Sequence, residues 1–449
     1  MADAPNPELR SYFAATAAFK DGSDTPRAFL DRCIEIIERD EPQVGAFVSL
    51  NLDGARAAAD ASTERWKAGN TLSPIDGMPI GIKDIMESAD MPTEQGSPLF
   101  AGWRGGRDAA AVAALREAGA VIVGKTVTTE FAATQPRGTR NPFDLSRTPG
   151  GSSSGSAAAV GDGMLPGALG TQVIGSIIRP ASFCGCFGYK PSAGAINRGG
   201  SFDGFSQSCT GVLAATLAET WTIARAIAAR AGGDAGHVGL TGPMELPKAA
   251  KPKRVALLET EGWAVADESA KAQLLDARAK LKAAGVEIID RNSSKTVADV
   301  ETAILESVPL SRSINAWEGR WPLNTYARDM DRSKLSQPAQ DRLAEAEALT
   351  QERYSELLAG RERVRGVYET LRGEVDFCMT LAATGAAPVG LDSTGNPVFT
   401  VPTSLLGVPT VTLPLLEADG FPLGLQAIGF RDADAALFAA AGGVLEIYG

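Results

Sequence analysis

Residues 148–212 are dense in glycine and serine and interleave them with small apolar residues, and this stretch constrains the fold more than any other. A flexible glycine-serine linker would lack the aliphatic side chains that are present here. Glycine has no side chain, so it allows backbone segments to approach one another closely. We therefore predict a tightly packed region at this place in the chain.

Helical and strand patterns alternate along the rest of the sequence. Helical spacing or composition occurs in residues 8–70, 108–118, 267–284 and 334–375, and short apolar runs typical of strands occur in 71–85, 120–123, 253–258, 286–290, 409–414 and 424–429. Residues 253–290 have the order of a β-α-β unit. This alternation predicts an α/β core.

Charge and composition exclude several classes of function. The chain of 449 residues has a formal net charge of −11, which disfavours nucleic acid and anionic membrane surfaces as partners. Its five cysteines lack the spacing of a zinc site or a disulfide framework and are typical of buried thiols. The N-terminus has no basic start or apolar core of a signal peptide, and no run of 18 apolar residues occurs. We expect a cytoplasmic protein without membrane contact.

The single histidine, His237, limits the serine chemistry available. Gly151-Ser152-Ser153-Ser154-Gly155 matches the nucleophile elbow pattern GxSxG, with Ser153 at its centre. That elbow follows a strand and needs a histidine base, whereas Pro149 and Gly150 oppose a strand and His237 lies in a glycine-rich, exposed loop pattern. Any serine nucleophile here would therefore need a lysine as its base.

A second motif, residues 119–126, matches the phosphate-binding pattern GxxxxGK[ST] and ends in Lys125-Thr126. A true P-loop has a strand before the first glycine and a helix beginning at the lysine. Here the inner residues Ala-Val-Ile-Val favour a buried strand, and the β-branched residues that follow are a poor helix start. A nucleotide-dependent enzyme built on Lys125 is kept as a disfavoured alternative.

Lys83, Ser152 and Ser176 lie in three glycine-framed segments, and the surrounding motifs resemble the amidase signature hydrolases. The resemblance runs from about residue 25 to about residue 440. It is densest in residues 76–84, 119–130, 150–160 and 170–191, and residues 422–429 resemble the C-terminal core strand of the family. Malonamidase-like and aryl acylamidase-type members are the most similar.

The resemblance implies a single large α/β fold, with a mixed central sheet flanked by helices. Residues 1–72 would form a helical part that packs on the core, and residues 73–449 the amidase signature domain. Substrate choice would come from the variable region of about 200–375, where an aromatic wall could be built from Phe202, Phe205, Trp317, Trp321 and Tyr326.

The family mechanism is implied for the three matching residues. Ser176 would be the nucleophile, Ser152 the bridging serine on a cis peptide and Lys83 the base, with no metal and no cofactor. The oxyanion hole would consist of the backbone N–H groups of Val173, Ile174, Gly175 and Ser176. Lys83 would have to be neutral to accept a proton, which requires burial.

Three positions depart from the pattern of many members, and a fourth matches one subgroup. Ile174 replaces a glycine, so the sequence predicts either an extended backbone there or an altered oxyanion hole. Gln172 and Ser208 stand where an aspartate is common. Arg179 matches an arginine that binds a substrate carboxylate in malonamidase-like members. At these positions the tRNA-dependent amidotransferase subunits are less similar.

We therefore predict a cytoplasmic amidase, monomeric or homodimeric, that hydrolyses a small-molecule amide through an acyl-enzyme. One alternative is a urethanase or aryl acylamidase that cleaves carbamates or anilides. Another, of a different class, is a non-hydrolysing subunit of amidotransferase type.

Overall fold

The computed structural model describes residues 5–133 and 135–449 and is built around one mixed sheet of eleven strands. The strand order is β1-β3-β2-β4-β6-β5-β10-β11-β9-β7-β8. The strands are β1 Phe47–Leu50, β2 Pro79–Lys83, β3 Val121–Thr126, β4 Gly167–Gln172, β5 Phe187–Lys190, β6 Cys209–Ala214, β7 Arg254–Leu257, β8 Glu287–Ile289, β9 Phe377–Leu381, β10 Thr410–Ala418 and β11 Phe421–Ile428. The mixed α/β fold predicted from the sequence is confirmed.

Helices cover the sheet. They are α1 Thr16–Asp21, α2 Pro26–Val44, α3 Leu52–Lys67, α4 Ala110–Glu117, α5 Ser154–Gly161, α6 Ile178–Phe183, α7 Leu217–Ala231, α8 Glu268–Ala283, α9 Lys295–Ile304, α10 Ser307–Asp329, α11 Gln337–Glu347, α12 Gln351–Glu369, α13 Val401–Leu406 and α14 Asp434–Tyr448. In the described residues, no helix is long and apolar enough to cross a membrane. The five cysteines are buried free thiols, as predicted.

The β-α-β unit at residues 253–290 is confirmed, since β7 and β8 are parallel neighbours connected by α8. Residues 409–414 and 424–429 fall within or beside the antiparallel pair β10 and β11. Short runs rich in apolar residues make these strands predictable from the sequence.

One element differs from the sequence-based expectation. Residues 8–70, predicted as helices, also contain β1, which pairs antiparallel with β3 at the edge of the sheet. β1 has only four residues and alternates half-buried with exposed positions. A short edge strand between two long helices carries too little pattern to be recognised from sequence.

The interior of the sheet positions the site. β2 lies between β3 and β4 and is parallel to both, and all five of its residues are buried. Helix α5 packs closely against this part of the sheet, because a Cβ on Gly155 would collide with the carbonyl oxygen of Ala46. The glycine-serine stretch is thus a packed core region, as predicted.

Candidate active site

Lys83 is the last residue of β2 and is fully buried. Its Nζ donates hydrogen bonds to Ser152 Oγ at 2.7 Å, to Thr171 Oγ1 at 2.9 Å and to the Thr171 carbonyl oxygen at 3.3 Å. Loss of water around the ammonium lowers the pKa of Lys83 to about 7, despite an opposing effect of Asp203. A substantial fraction of this lysine is therefore a neutral amine near pH 7.

Ser152 reaches Lys83 from the loop before α5. The peptide bond between Gly151 and Ser152 is cis. Gly150 has φ of +84°, and a Cβ there would lie 2.9 Å from Pro180 Cα, so this position requires glycine. The loop thus brings the Ser152 hydroxyl, 1% exposed as a residue, to the end of β2.

Ser176 lies in the turn between β4 and α6 and is 9% exposed. Its carbonyl oxygen accepts a hydrogen bond from the N–H of Ser153 at 3.3 Å, which joins the two serine loops. Among the described residues, the Ser176 hydroxyl has no hydrogen-bond partner. The structure therefore unites Lys83 with Ser152 directly and brings Ser176 beside them through the adjoining backbone.

Gln172 holds this turn in place. Its Oε1 accepts hydrogen bonds from the N–H groups of Ile177 at 2.9 Å and Ile178 at 3.0 Å. Its Nε2 donates to Ser404 Oγ at 3.1 Å, and Ser404 in turn donates to the carbonyl oxygen of Ile174 at 3.0 Å. An amide at residue 172 thus both accepts from and donates to its surroundings, which an aspartate could not do.

The four residues predicted to form an oxyanion hole lie in this turn. In the described part of the chain, the N–H groups of Val173, Ile174, Gly175 and Ser176 donate to no protein acceptor. Val173 and Ile174 are only half-buried. Ile174 is not among the described residues with positive φ, so its branched side chain is accommodated without the left-handed conformation.

Arg179 lies in α6 and is 4% exposed. Its Nη2 donates to the Gly151 carbonyl oxygen at 2.8 Å and to Thr394 Oγ1 at 3.0 Å. Its Nε and Nη1 are buried and find no acceptor among the described residues. Burial lowers the pKa of Arg179 to about 10, so the group remains a cation at neutral pH. Nη1 would be 3.3 Å from a Cβ on Gly175, next to Ser176.

The structure also shows why the two rejected motifs fail. Lys125 lies inside β3, where its Nζ donates to the Met86 carbonyl oxygen at 2.8 Å and to Thr93 Oγ1 at 2.7 Å, and pairs with Asp84 at 3.1 Å. β3 continues through this lysine in place of a helix, and the ammonium already has protein partners. His237 is an exposed loop residue, whereas Ser153 is fully buried.

Asp203 is an acidic residue of the site that sequence reasoning does not find. It is fully buried and accepts hydrogen bonds from Ser201 Oγ and Ser208 Oγ, both at 2.6 Å. Ser208 is one of the positions that depart from the family that the sequence resembles, and its hydroxyl donates to this carboxylate from earlier in the chain. The only available signal is an aspartate close to a serine in a glycine-rich loop.

The five aromatic residues predicted as one wall occupy two places. Phe202, Phe205 and Tyr326 line a largely apolar cavity together with Gln95, Phe131 and Arg342. Trp317 and Trp321 instead line a separate surface groove, where Trp317 stacks on Tyr354 and Trp321 is 72% exposed. The described residues contain no cluster of three or more His, Cys, Asp or Glu suited to a metal ion.

Comparison with known proteins identifies the relatives of this chain. The family model Amidase matches residues 27–438. The A subunit of glutamyl-tRNA(Gln) amidotransferase from Chloroflexus aggregans is 32% identical over 453 residues, covering 93% of this chain and 92% of that protein.

Solved structures agree on the fold. One described as the crystal structure of an amidase has a TM-score of 0.83 at 27% identity, covering 97% of this chain and 99% of that one. A bacterial aryl acylamidase of the amidase signature family has a TM-score of 0.84 at 20% identity, covering 98% of this chain and 96% of that one. At that identity the second likeness shows the fold alone.

These relatives overturn the main functional prediction. The sequence analysis predicts a small-molecule amide hydrolase and finds less similarity to the tRNA-dependent amidotransferase subunits. That prediction is wrong, because curated relatives that match over about nine-tenths of the chain are named as the A subunit of glutamyl-tRNA(Gln) amidotransferase. They favour the alternative of an amidotransferase-type subunit instead. Cleavage of an amide C–N bond is common to both.

Proposed function

This chain belongs to the amidase family, and we propose on that basis that it is the amide-cleaving subunit of an amidotransferase. It would release nitrogen from an amide donor and pass it to an acceptor held by a partner protein. The observation that carries the proposal is that Lys83 is buried, has a pKa of about 7 and donates a hydrogen bond to Ser152 Oγ at 2.7 Å. The matched length of the amidotransferase relatives supports the amidotransferase role.

In the proposed reaction Ser176 Oγ attacks the carbonyl carbon of the donor amide. The hydroxyl proton passes to Ser152, whose own proton passes to the neutral Nζ of Lys83. The oxyanion is stabilised by the free N–H groups of residues 173–176. When the C–N bond breaks, Lys83 returns its proton through Ser152 to the nitrogen, and ammonia leaves. Water then hydrolyses the Ser176 ester to the free acid.

Arg179 supports a particular class of donor. Its Nε and Nη1 are buried, cationic at neutral pH and without acceptors among the described residues. A buried cation with free N–H groups is stabilised by an anionic partner. We infer that the donor carries a carboxylate, as the side-chain amides of free amino acids do.

The negative net charge of the chain disfavours direct contact with nucleic acid. With a net charge of −11, it offers little attraction for the phosphates of an RNA acceptor. A partner protein would therefore hold any nucleic acid, while this chain supplies the amide-cleaving site.

The test is ammonia release from L-glutamine and L-asparagine, by the chain alone and after co-purification with its partner from the native host. We expect the wild-type chain to release ammonia and the Ser176→Ala variant to release none. With the partner present, we expect the released nitrogen to be used to amidate an acceptor. Carbamates and anilides are assayed alongside. A chain that purifies without any partner and turns over no carboxylate-bearing amide would refute the proposal.

Arg179 provides a sharper measurement. We expect Arg179→Lys to raise KM for L-glutamine by at least about tenfold, because a bidentate contact to carboxylate is lost. The matched substrate is propionamide, which has no carboxylate, and its kcat/KM should change much less. An equal loss on both substrates would show that Arg179 acts only by holding the Gly151 carbonyl.

A further inference from the structure

Backbone pairing between two segments that are distant in sequence brings the loop of Asp203 alongside the residues that directly follow Lys83. The N–H of Glu87 donates to the Gly200 carbonyl oxygen at 2.9 Å, and the N–H of Phe202 donates to the Ile85 carbonyl oxygen at 2.9 Å. Met86 and Ser201 form an antiparallel bridge between these bonds. Residues 200–203 are thereby fixed along the stretch that directly follows Lys83.

The carboxylate of Asp203 is held rigidly in this position. It is fully buried, and hydroxyl groups of Ser201 and Ser208 donate to its two oxygens at 2.6 Å each. Neither serine carries a charge, so neither neutralises the carboxylate. Its field therefore acts on whatever cation lies near it in this poorly hydrated interior.

The other charged groups around this place are engaged with partners of their own. Asp84 pairs with Lys125 at 3.1 Å, and Glu87 pairs with Arg107 at 2.8 Å. Arg198 pairs with Asp234 at 2.6 Å, and the charge of Asp203 also helps to raise the pKa of Arg198, which stays a cation throughout the pH range of the Lys83 titration. Among the described residues, the hydrogen-bond partners of Lys83 are hydroxyl and carbonyl oxygens. The negative charge of Asp203 opposes the effect of burial and raises the pKa of Lys83.

We propose that Asp203 is a positioning residue that acts on Lys83 and sets its proton affinity. Asp203 would do so from the loop that precedes Ser208. The inference rests on the proposed role of Lys83 as base. Burial alone would favour the neutral amine so strongly that Lys83 would be a weak base. A nearby carboxylate offsets part of that effect and keeps the amine basic enough to take the proton of Ser152.

In this proposal, Asp203 supplies the carboxylate that the family resemblance leads one to expect at residue 208, and Ser208 supplies a hydroxyl instead. A carboxylate at residue 208 would lie at the start of β6, whereas here the hydroxyl of Ser208 reaches back to the loop. A negative charge is thus kept in this part of the site, but residue 203 carries it in place of residue 208.

The experiment follows the rate at which a fluorophosphonate labels Ser176 as a function of pH. Labelling forms a Ser176 O–P bond with loss of fluoride and requires the same base, so it reports the titration of Lys83 without a known substrate. We expect an acid limb near pH 7 in the wild type. Asp203→Asn should move that limb to lower pH by about one unit, because loss of the negative charge lowers the pKa of Lys83.

Two further variants control the result. Asp290→Asn removes another buried carboxylate that accepts from a serine hydroxyl, but one that follows β8 at the far edge of the sheet, and it should leave the limb unchanged. The exchange Asp203→Ser with Ser208→Asp should return the limb to within about 0.3 unit of wild type. If Asp203→Asn does not fold, the position of the acid limb in the exchange variant tests the proposal in its place.

The outcomes separate the two proposals. Absence of labelling at Ser176 in the wild type would refute the proposed function itself. Labelling with an acid limb that stays in place in folded Asp203→Asn, or that remains displaced by a unit in the exchange variant, would overturn the role of Asp203 alone.

Discussion

Lys83 and Lys125 are buried lysines on adjacent parallel strands, one register position apart. They differ in whether a carboxylate pairs with the ammonium group. Lys125 keeps a carboxylate partner, Asp84, at 3.1 Å. Lys83 finds only neutral hydrogen-bond acceptors within residues 5–133 and 135–449, and its burial lowers its pKa to about 7. One lysine therefore stabilises a loop as an ion pair, and the other is available for proton transfer.

This contrast predicts opposite effects on stability. Lys83→Met should raise the free energy of unfolding at pH 6 by up to about 4 kcal/mol, because the folded protein no longer carries a buried ammonium. The gain should be constant below pH 7 and should then fall steadily towards zero as pH rises from 7 to 10.5, because in that interval unfolded Lys83 binds a proton and folded Lys83 does not. Above that interval both states of the wild type are neutral, and the difference from Lys83→Met should no longer depend on pH. Denaturant unfolding at several pH values measures both.

Lys125→Met is the matched control. It leaves the Asp84 carboxylate buried without its partner and should lower the free energy of unfolding by about 3–5 kcal/mol. If the two methionine variants shifted stability in the same direction, the distinction drawn between the two lysines would be wrong.

At the scale of elements, the turn between β4 and α6 depends on one side chain from the end of the strand. Gln172 accepts from the N–H groups of Ile177 and Ile178 and connects through Ser404 to the Ile174 carbonyl. The turn carries Ser176 and the N–H groups of residues 173–176, which have no acceptor in the described part of the chain. Its geometry is therefore set by the end of β4 and by α13, not by its own residues.

Gln172→Leu should consequently lower the free energy of unfolding by about 2–4 kcal/mol, since two buried N–H groups lose their acceptor. It should also slow fluorophosphonate labelling of Ser176 by at least about tenfold, because the turn that carries the nucleophile loses its support. Gln172→Glu keeps an acceptor for both N–H groups and should lose much less on both measurements. A leucine variant that labels at the wild-type rate would show that the turn is held by other contacts.

Elements differ in how far they can be predicted. The β7-α8-β8 unit and the β10-β11 pair contain short runs rich in apolar residues, so local sequence is sufficient to predict them. β1 escapes prediction because four alternating residues between helices give little signal. Asp203 escapes it because its contact with the chain after β2 depends on pairing between segments more than a hundred residues apart.

For the whole molecule, the net charge of −11 has a direct consequence. The isolated chain should not retard tRNA in a mobility-shift assay, even at low salt, where phosphate contacts are strongest. The same assay with the co-purified partner should show binding if the proposed assembly is correct. Salt-dependent tRNA binding by the isolated chain would contradict this division of roles.

The sequence by itself determined the α/β class and the glycine positions that allow close backbone approach, and it predicted Lys83, Ser152 and Ser176 as the candidate catalytic residues. It could do so because each of these depends on local composition or a short motif. Only the tertiary structure decided the burial that lowers the pKa of Lys83, the lack of an acceptor among the described residues for Nε and Nη1 of Arg179, and the hydrogen bond from Ser208 to Asp203. These depend on exclusion of water and on neighbours from distant segments, which only the folded chain brings together.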